Sequence, residues 1–208
     1  MEYLKIKVLS DIKRREIFYE IRIHANERNM RETIFKENFL LPAFFDKLTK
    51  VIESQALDWH WEEKTVEWAN DNHFMFTTLL YASLSKHQSK WLPVFEPILY
   101  FLAEEVKFKK VLKMKMNLYV NHTVQHVHTE HVDMTHGEDT QHGKKGTPVQ
   151  GVITAVYNFT DCDGFTQVEG KKYPSKANSI IIFDGTKLHC GATPTNTKKR
   201  VVLNINVM

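Results

Sequence analysis

From Val111 to the C-terminus the chain keeps the two-residue period of β-strands, interrupted by polar loops and a run of histidines. In residues 111–120, Lys113, Lys115, Asn117 and Tyr119 alternate with Leu112, Met114, Met116 and Leu118. Alternation at this period puts one set of side chains on each face of an extended strand. Residues 151–159, 179–183 and 200–207 are also strand-like, so this half of the chain is β-rich. In the last of these runs, Arg200, Val202, Asn204 and Asn206 share one face, and Val201, Leu203, Ile205 and Val207 form the other.

The N-terminal half is written differently. Pro42 at a first helical turn, followed by Phe44, Phe45, Leu48, Val51 and Ile52, gives the stripe of an amphipathic helix over residues 42–55. A second helix is expected over residues 96–106, with Ile98, Phe101 and Leu102 on one side. Between them, residues 57–65 and 74–81 read as strands, with Trp59 and Trp61 on one parity as packing residues. Residues 1–36 alternate charged and apolar groups in a way that suits a helical extension, which leaves residues 37–208 as the main domain.

At 208 residues, one domain is the default. A hydrophobic content of 42% with only 8 Gly and 6 Pro argues for an ordered globular fold and against disorder. The formal charge of +3 is no nucleic-acid signature, since residues 1–36 alone carry nine Lys or Arg against six Asp or Glu. The opening residues lack the apolar core of a signal peptide, and the most apolar stretch, 91–106, is interrupted by Pro93, Pro97 and three glutamates. A cytoplasmic protein with no membrane span is expected. Cys162 and Cys190, without a CxxC spacing, read as two reduced thiols.

Histidine is the informative residue type. Of eleven, six fall within residues 122–142, and a seventh is His189. In the run His126-Val-His128-Thr-Glu-His131-Val-Asp133, residues two apart share a face, so His131 with Asp133, His126 with His128, and His128 with Glu130 are all candidate ligand pairs. Two histidines and one carboxylate on one side of an Fe(II) ion leave open positions for substrate and oxygen. His189, after the strand 179–183 and the turn Asp184-Gly185, is the natural distal ligand. Arg200 follows eleven residues later on the polar face of its strand, where a guanidinium is costly unless an anion meets it.

The HxD pair, a distal His within Leu188-His-Cys-Gly-Ala-Thr193, and an Arg about a dozen residues on resemble the Fe(II)/2-oxoglutarate-dependent oxygenases. The prolyl-4-hydroxylase-like branch is nearest, and small phage-encoded members are especially similar, which would place the protein in a host cytoplasm. The likeness runs from about Phe39 to the C-terminus, through Lys115-Met-Asn-Leu-Tyr119, Gly164-Phe-Thr166, residues 177–185 and Arg200 to Asn206. It implies an α+β, mainly β fold: a double-stranded β-helix, or jelly roll, with helices packed on one sheet. It further implies Fe(II) held by His131, Asp133 and His189, and 2-oxoglutarate and O2 as cosubstrates, with Arg200 meeting the far carboxylate. Tyr119, Asn117 and Asn204 are the other expected cosubstrate-pocket residues. One departure stands out: Asn158 falls where animal oxygen-sensing prolyl hydroxylases carry a cosubstrate-binding Tyr.

Two other readings compete on the residues. A cupin-type metalloprotein would use His126, His128 and His189 without 2-oxoglutarate, and would leave Arg200 idle. A β-rich binding module would keep the barrel without turnover. For the oxygenase, hydroxylation of a peptidyl prolyl or other amino-acid residue is the favoured substrate chemistry, with a small molecule as the other option. A nucleic-acid partner would call for a basic groove with interleaved aromatics, which is not evident. Residues 134–150, with Gly137, Gly143 and Gly146, are long enough for a lid. The lysines at 107, 109, 110, 113 and 115 read first as a solvated edge, with collection of an acidic substrate as the other reading.

Overall fold

The computed structural model describes residues 32–66, 73–136 and 146–208. Most of the expected N-terminal extension and the centre of the expected lid, including His142, lie outside the described residues. The last residues of that extension, Ile34–Lys36, form strand β1 rather than helix. β1 pairs with β11 (Ser179–Asp184) at the margin of the main sheet.

Helix α1 spans Pro42–Glu53, with proline in its first turn as the sequence implies. Leu48 and Ile52 are buried, and Phe44, Phe45 and Val51 pack against the same core. A four-residue helix that was not expected, α2 (Leu92–Phe95), precedes α3 (Ile98–Glu105), which is the helix expected over 96–106. Pro97 caps α3; proline has no N–H to continue the preceding turn, so the apolar run is divided there. The strand expected over 57–65 contracts to β2, His60–Glu62, at the opposite edge of the sheet. Trp59 packs on the core, but Trp61 is 60% exposed, so the two do not form a packing pair.

The main sheet is antiparallel and runs β1-β11-β8-β13-β5-β3-β2. Here β3 is Met75–Ala82, β5 Val111–Val120, β8 Ile153–Asn158 and β13 Lys199–Val207, and a two-residue strand β4, His87–Gln88, pairs with β3. A smaller sheet, β10-β9-β12, is built from β9 (Cys162–Val168), β10 (Lys171–Ser175) and β12 (His189–Gly191). The β9–β10 hairpin has no apolar alternation to announce it. Its turn residues, Glu169 and Gly170, have φ of 47° and 79°, the left-handed conformation that matches strand twist in a two-residue hairpin loop.

The main sheet is buried on both faces, which accounts for the unbroken apolar run Ile180-Ile-Ile-Phe183. Ile180 and Ile182 point to the helices, in a core with Leu48, Phe95, Leu102, Met114 and Leu203. Ile181 and Phe183 point the other way, with Tyr119, Val156, Val168, Tyr173 and Val202. That second cluster draws residues from both sheets, and the functional residues gather on this side. Both cysteines are free thiols. Among the described residues, no helix is long and apolar enough to cross a membrane.

Candidate active site

His131 and His189 are brought together by backbone pairing. His131 N donates to His189 O at 2.9 Å, and His189 N donates to His131 O at 3.0 Å, an isolated antiparallel bridge between the histidine-rich segment and β12. The rings lie with centroids 4.6 Å apart. Each Nδ1 contacts a carbonyl two residues back: His131 that of Thr129 at 3.0 Å, His189 that of Lys187 at 3.2 Å. A carbonyl only accepts, so both Nδ1 atoms carry the proton and both Nε2 atoms present a lone pair or a second proton. His131 Nε2 lies 3.7 Å from Asp133 Oδ1, and His189 Nε2 lies 3.5 Å from Asp133 Oδ2. Ligand atoms of the three residues fall within 4.8 Å of one another, and they are the only such group of three among the described residues.

Asp133 is held from beneath by β13. Asn204 and Asn206 both donate through Nδ2 to its Oδ2, at 3.0 and 2.9 Å, and Asn206 also reaches Thr154 Oγ1 at 3.1 Å. Burial of Asp133 opposes its charge, but the His189 and His131 imidazoles outweigh it and hold the carboxyl well below its usual range. For His189, burial acts against protonation and Asp133 outweighs it, so the ring is raised above its usual value. Asn204, expected to touch the cosubstrate, donates to this carboxylate while also lining the pocket, and Asn206 makes the same contact without having been singled out. Replacing both (Asn204→Ala with Asn206→Ala) is expected to weaken Fe(II) binding roughly 10–100-fold, the usual effect of removing groups that orient a metal ligand. Anaerobic metal titration checks this; unchanged affinity would mean that Asp133 keeps its orientation without them.

Arg200 is 1% exposed. Its Nη2 donates to Thr166 Oγ1 at 2.8 Å and to Asn158 Oδ1 at 3.3 Å, its Nη1 to the Ala192 carbonyl at 3.4 Å, and Nε has no partner. The guanidinium lies 5.5 Å from the centre of the Tyr119 ring. Among the described residues no carboxylate comes within ion-pair distance of it, and burial draws its pKa down. A guanidinium this deep without a carboxylate suits an anion as its partner. Asn158, the residue at the departure noted in the sequence, is one of its direct partners.

Two glycines let the chain pack closely against Arg200. A Cβ on Gly191 would stand 3.2 Å from Arg200 Nη1 and 3.4 Å from Tyr119 Oη, and one on Gly164 would stand 2.8 Å from Arg200 Cδ. Gly191 also lines the pocket that contains His131 and Asp133, so the guanidinium lies directly behind one wall of that pocket. Tyr119 and Asn117 line this pocket, joined by a 3.4 Å hydrogen bond from Asn117 Nδ2 to Tyr119 Oη. Burial pushes the Tyr119 phenol up, keeping it a neutral donor.

Among the described residues, the other histidines of the cluster do not join this ligand group. His126 faces His73 and His122, with ring centroids 4.0 and 5.0 Å away. His128 lines the pocket with its ring 4.9 Å from Tyr119. The set His126, His128 and His189 is not assembled as a ligand group among the described residues. His136 is exposed on β6 (Thr135–His136), which pairs with β7 (Thr147–Pro148) at the base of the expected lid. Lys113 and Lys115 depart from the expected solvated edge: both are half-buried and line the pocket. They share β5 parity with Asn117 and Tyr119, and the loop carrying Asp133 covers that face.

A main antiparallel sheet with helices on one face and a short second sheet across the other is the double-stranded β-helix, and the chain has the fold of the 2OG-Fe(II) oxygenases. The particular likenesses are to prolyl hydroxylases and their relatives. A viral collagen prolyl hydroxylase from Paramecium bursaria Chlorella virus-1, solved as a 2OG complex, superposes with a TM-score of 0.51 at 13% identity, over 85% of this chain and 96% of that one. A 2OG-Fe(II) oxygenase family oxidoreductase from Burkholderia pseudomallei gives 0.55 at 12% identity, covering 88% and 93%. The prolyl hydroxylase of Trichoplax adhaerens, bound to a hypoxia inducible factor peptide fragment, gives 0.56 at 10% identity, covering 85% and 83%. No protein-family model matches the sequence, and neither does any curated protein.

Proposed function

We propose that the protein is an Fe(II)- and 2-oxoglutarate-dependent dioxygenase that hydroxylates an amino-acid or peptidyl substrate, with His131, Asp133 and His189 as the iron ligands and Arg200 as the partner of the distal carboxylate. The observation that carries this reading is Arg200. A buried guanidinium with no carboxylate in ion-pair distance among the described residues, packed behind Gly191 and Tyr119 of the pocket that also holds His131 and Asp133, suits a dicarboxylate that reaches from one to the other. A metalloprotein without such a ligand leaves that charge without an anion.

The donor set fits Fe(II). Both imidazoles are locked with Nδ1 on backbone carbonyls, and the buried Nε2 of His189 has no hydrogen-bond partner of its own. When bound, Fe(II) and 2-oxoglutarate supply the oxidising chemistry: one atom of O2 enters a substrate C–H bond and the other goes to succinate, with CO2 released. The chain's own part is placement. Asn204 and Asn206 fix the Asp133 carboxylate, Thr166 and Asn158 fix the guanidinium plane, and Tyr119 closes the wall between them. The apolar cluster of Val156, Ile181, Phe183 and Val202 keeps water from the floor of the site. A peptidyl substrate is in keeping with the peptide bound to the Trichoplax neighbour.

The test is stepwise anaerobic addition of Fe(II) and then 2-oxoglutarate to metal-free protein. A visible metal-to-ligand charge-transfer band is expected on the second addition. Folded, iron-loaded protein that gives no band would overturn the reading.

A further inference from the structure

Two ammonium groups in the pocket are left unused by the roles described so far. We infer that Lys113 and Lys115 receive an anionic group of the substrate, a carboxylate or a phosphate ester, at the end of the pocket away from Arg200. The inference rests on the oxygenase reading for the identity of the site, and it names the substrate class that reading leaves open.

The pairing of β5 with β13 sets the geometry. Across the two strands the register is Tyr119 with Arg200, Asn117 with Val202, Lys115 with Asn204, and Lys113 with Asn206. Four residues of strand separate Tyr119 from Lys115, about 13 Å at ~3.3 Å per residue. Asp133 is bonded to Asn204 and Asn206, so the metal-binding group stands over the lysine end of this ladder and the guanidinium marks the other end. An anion at Lys113 and Lys115 is thus a different one from the anion at Arg200.

Neither ammonium is neutralised by an ion pair. Among the described residues no carboxylate lies within 4.0 Å of either Nζ, although the chain forms such pairs elsewhere, as Lys187 does with Glu169 at 3.1 Å. The carboxylates that Lys115 senses are Asp133 and Glu62. Both are engaged: Asp133 by the two asparagines and the two imidazoles, Glu62 by Thr77 Oγ1 at 3.1 Å. Burial pulls Lys115 down to about 8. A lysine on a solvated edge would snorkel into water; these two are turned into a concave site beside the reacting centre, where they select against cationic substrates and for anionic ones.

The experiment uses protein loaded with Fe(II) and 2-oxoglutarate without oxygen, so that Arg200 is occupied and the charge-transfer band reports loading. Methyl phosphate and acetate are titrated calorimetrically into the wild type, the double variant Lys113→Gln/Lys115→Gln, and Lys109→Gln, a control in the same basic run but exposed. The expected result is saturable binding of at least one anion, weakened tenfold or more in the double variant and unchanged in the control, with 2-oxoglutarate affinity intact. The tighter of the two probes identifies ester or carboxylate as the source. No binding of either anion, or binding that survives the double variant, would overturn the inference. So would parallel loss of 2-oxoglutarate affinity, which would assign the lysines to the cosubstrate. A missing charge-transfer band counts against the oxygenase reading instead, and the same titration on metal-free protein still tests the lysines.

Discussion

Asp133→Asn is expected to lower Fe(II) affinity by more than the roughly 10–100-fold that groups behind a ligand contribute, and to abolish turnover, while the chain stays folded. The amide keeps an oxygen able to accept from Asn204 and Asn206, so the contacts that orient the side chain survive. What goes is the negative charge opposite two imidazoles. A second readout separates this from simple damage: Asp133 is what raises His189, so His189 in the variant should titrate lower than in the wild type by NMR. The sign for the wild type follows. Metal must displace the extra proton from His189, so affinity rises with pH up to the folded-state value of that ring and levels off above it. In metal-free protein the Asp133 contribution to stability is full above about pH 4 and is lost as pH falls through its depressed folded-state value. The His189 contribution is full below about pH 6.5 and is lost as pH rises through its raised value. Together they stabilise the metal-free fold most between those limits. Wild-type affinity retained by Asp133→Asn would remove Asp133 from the ligand set.

Periodicity carried much of the architecture. The alternation over 111–120 coincides with β5, the apolar set at 179–183 with β11, and the proline-led stripe at 42 with α1. Elements without a periodic signature were not legible. The β9–β10 hairpin holds charged, glycine and proline residues and is fixed by pairing and a two-residue turn, and β1 adds at the margin through three residues. At the site, strand parity placed Arg200, Asn204 and Asn206 on one face, and Asn117 and Tyr119 on the facing strand. Parity cannot say which of these meet which loop. That depends on the path of residues 121–134, which lays Asp133 over Asn204 and Asn206. The same path turns Lys113 and Lys115 from an expected solvated edge into pocket residues, because it covers the face they occupy. Thr166, a main partner of Arg200, lies in a segment that the resemblance picked out, but its role depends on a hairpin without periodic signature and so was not assigned.

Arg200→Met is expected to separate binding from stability. In the wild type, folding buries an ionised guanidinium with no carboxylate against it, and the effective penalty for such an ion is several kcal/mol. Three hydrogen bonds, to Thr166, Asn158 and the Ala192 carbonyl, offset part of that cost. Methionine fills much of the volume, makes no demand for an anion and leaves Asn158 bonded to Ser175 and Ser179. Metal-free Arg200→Met should therefore unfold at the same temperature as the wild type or higher. Binding moves the other way. Removing one partner of a buried charge pair costs about 2–5 kcal/mol, so 2-oxoglutarate affinity should fall roughly 30-fold to several thousand-fold. Fe(II) affinity should hold, because the residue contacts none of His131, Asp133 or His189. Thermal unfolding, metal titration and the anaerobic charge-transfer titration read these three quantities separately. A variant that binds 2-oxoglutarate as the wild type does would show that the guanidinium serves some other anion. A variant that loses stability, iron and cosubstrate together would show that the buried charge holds up the fold rather than a ligand.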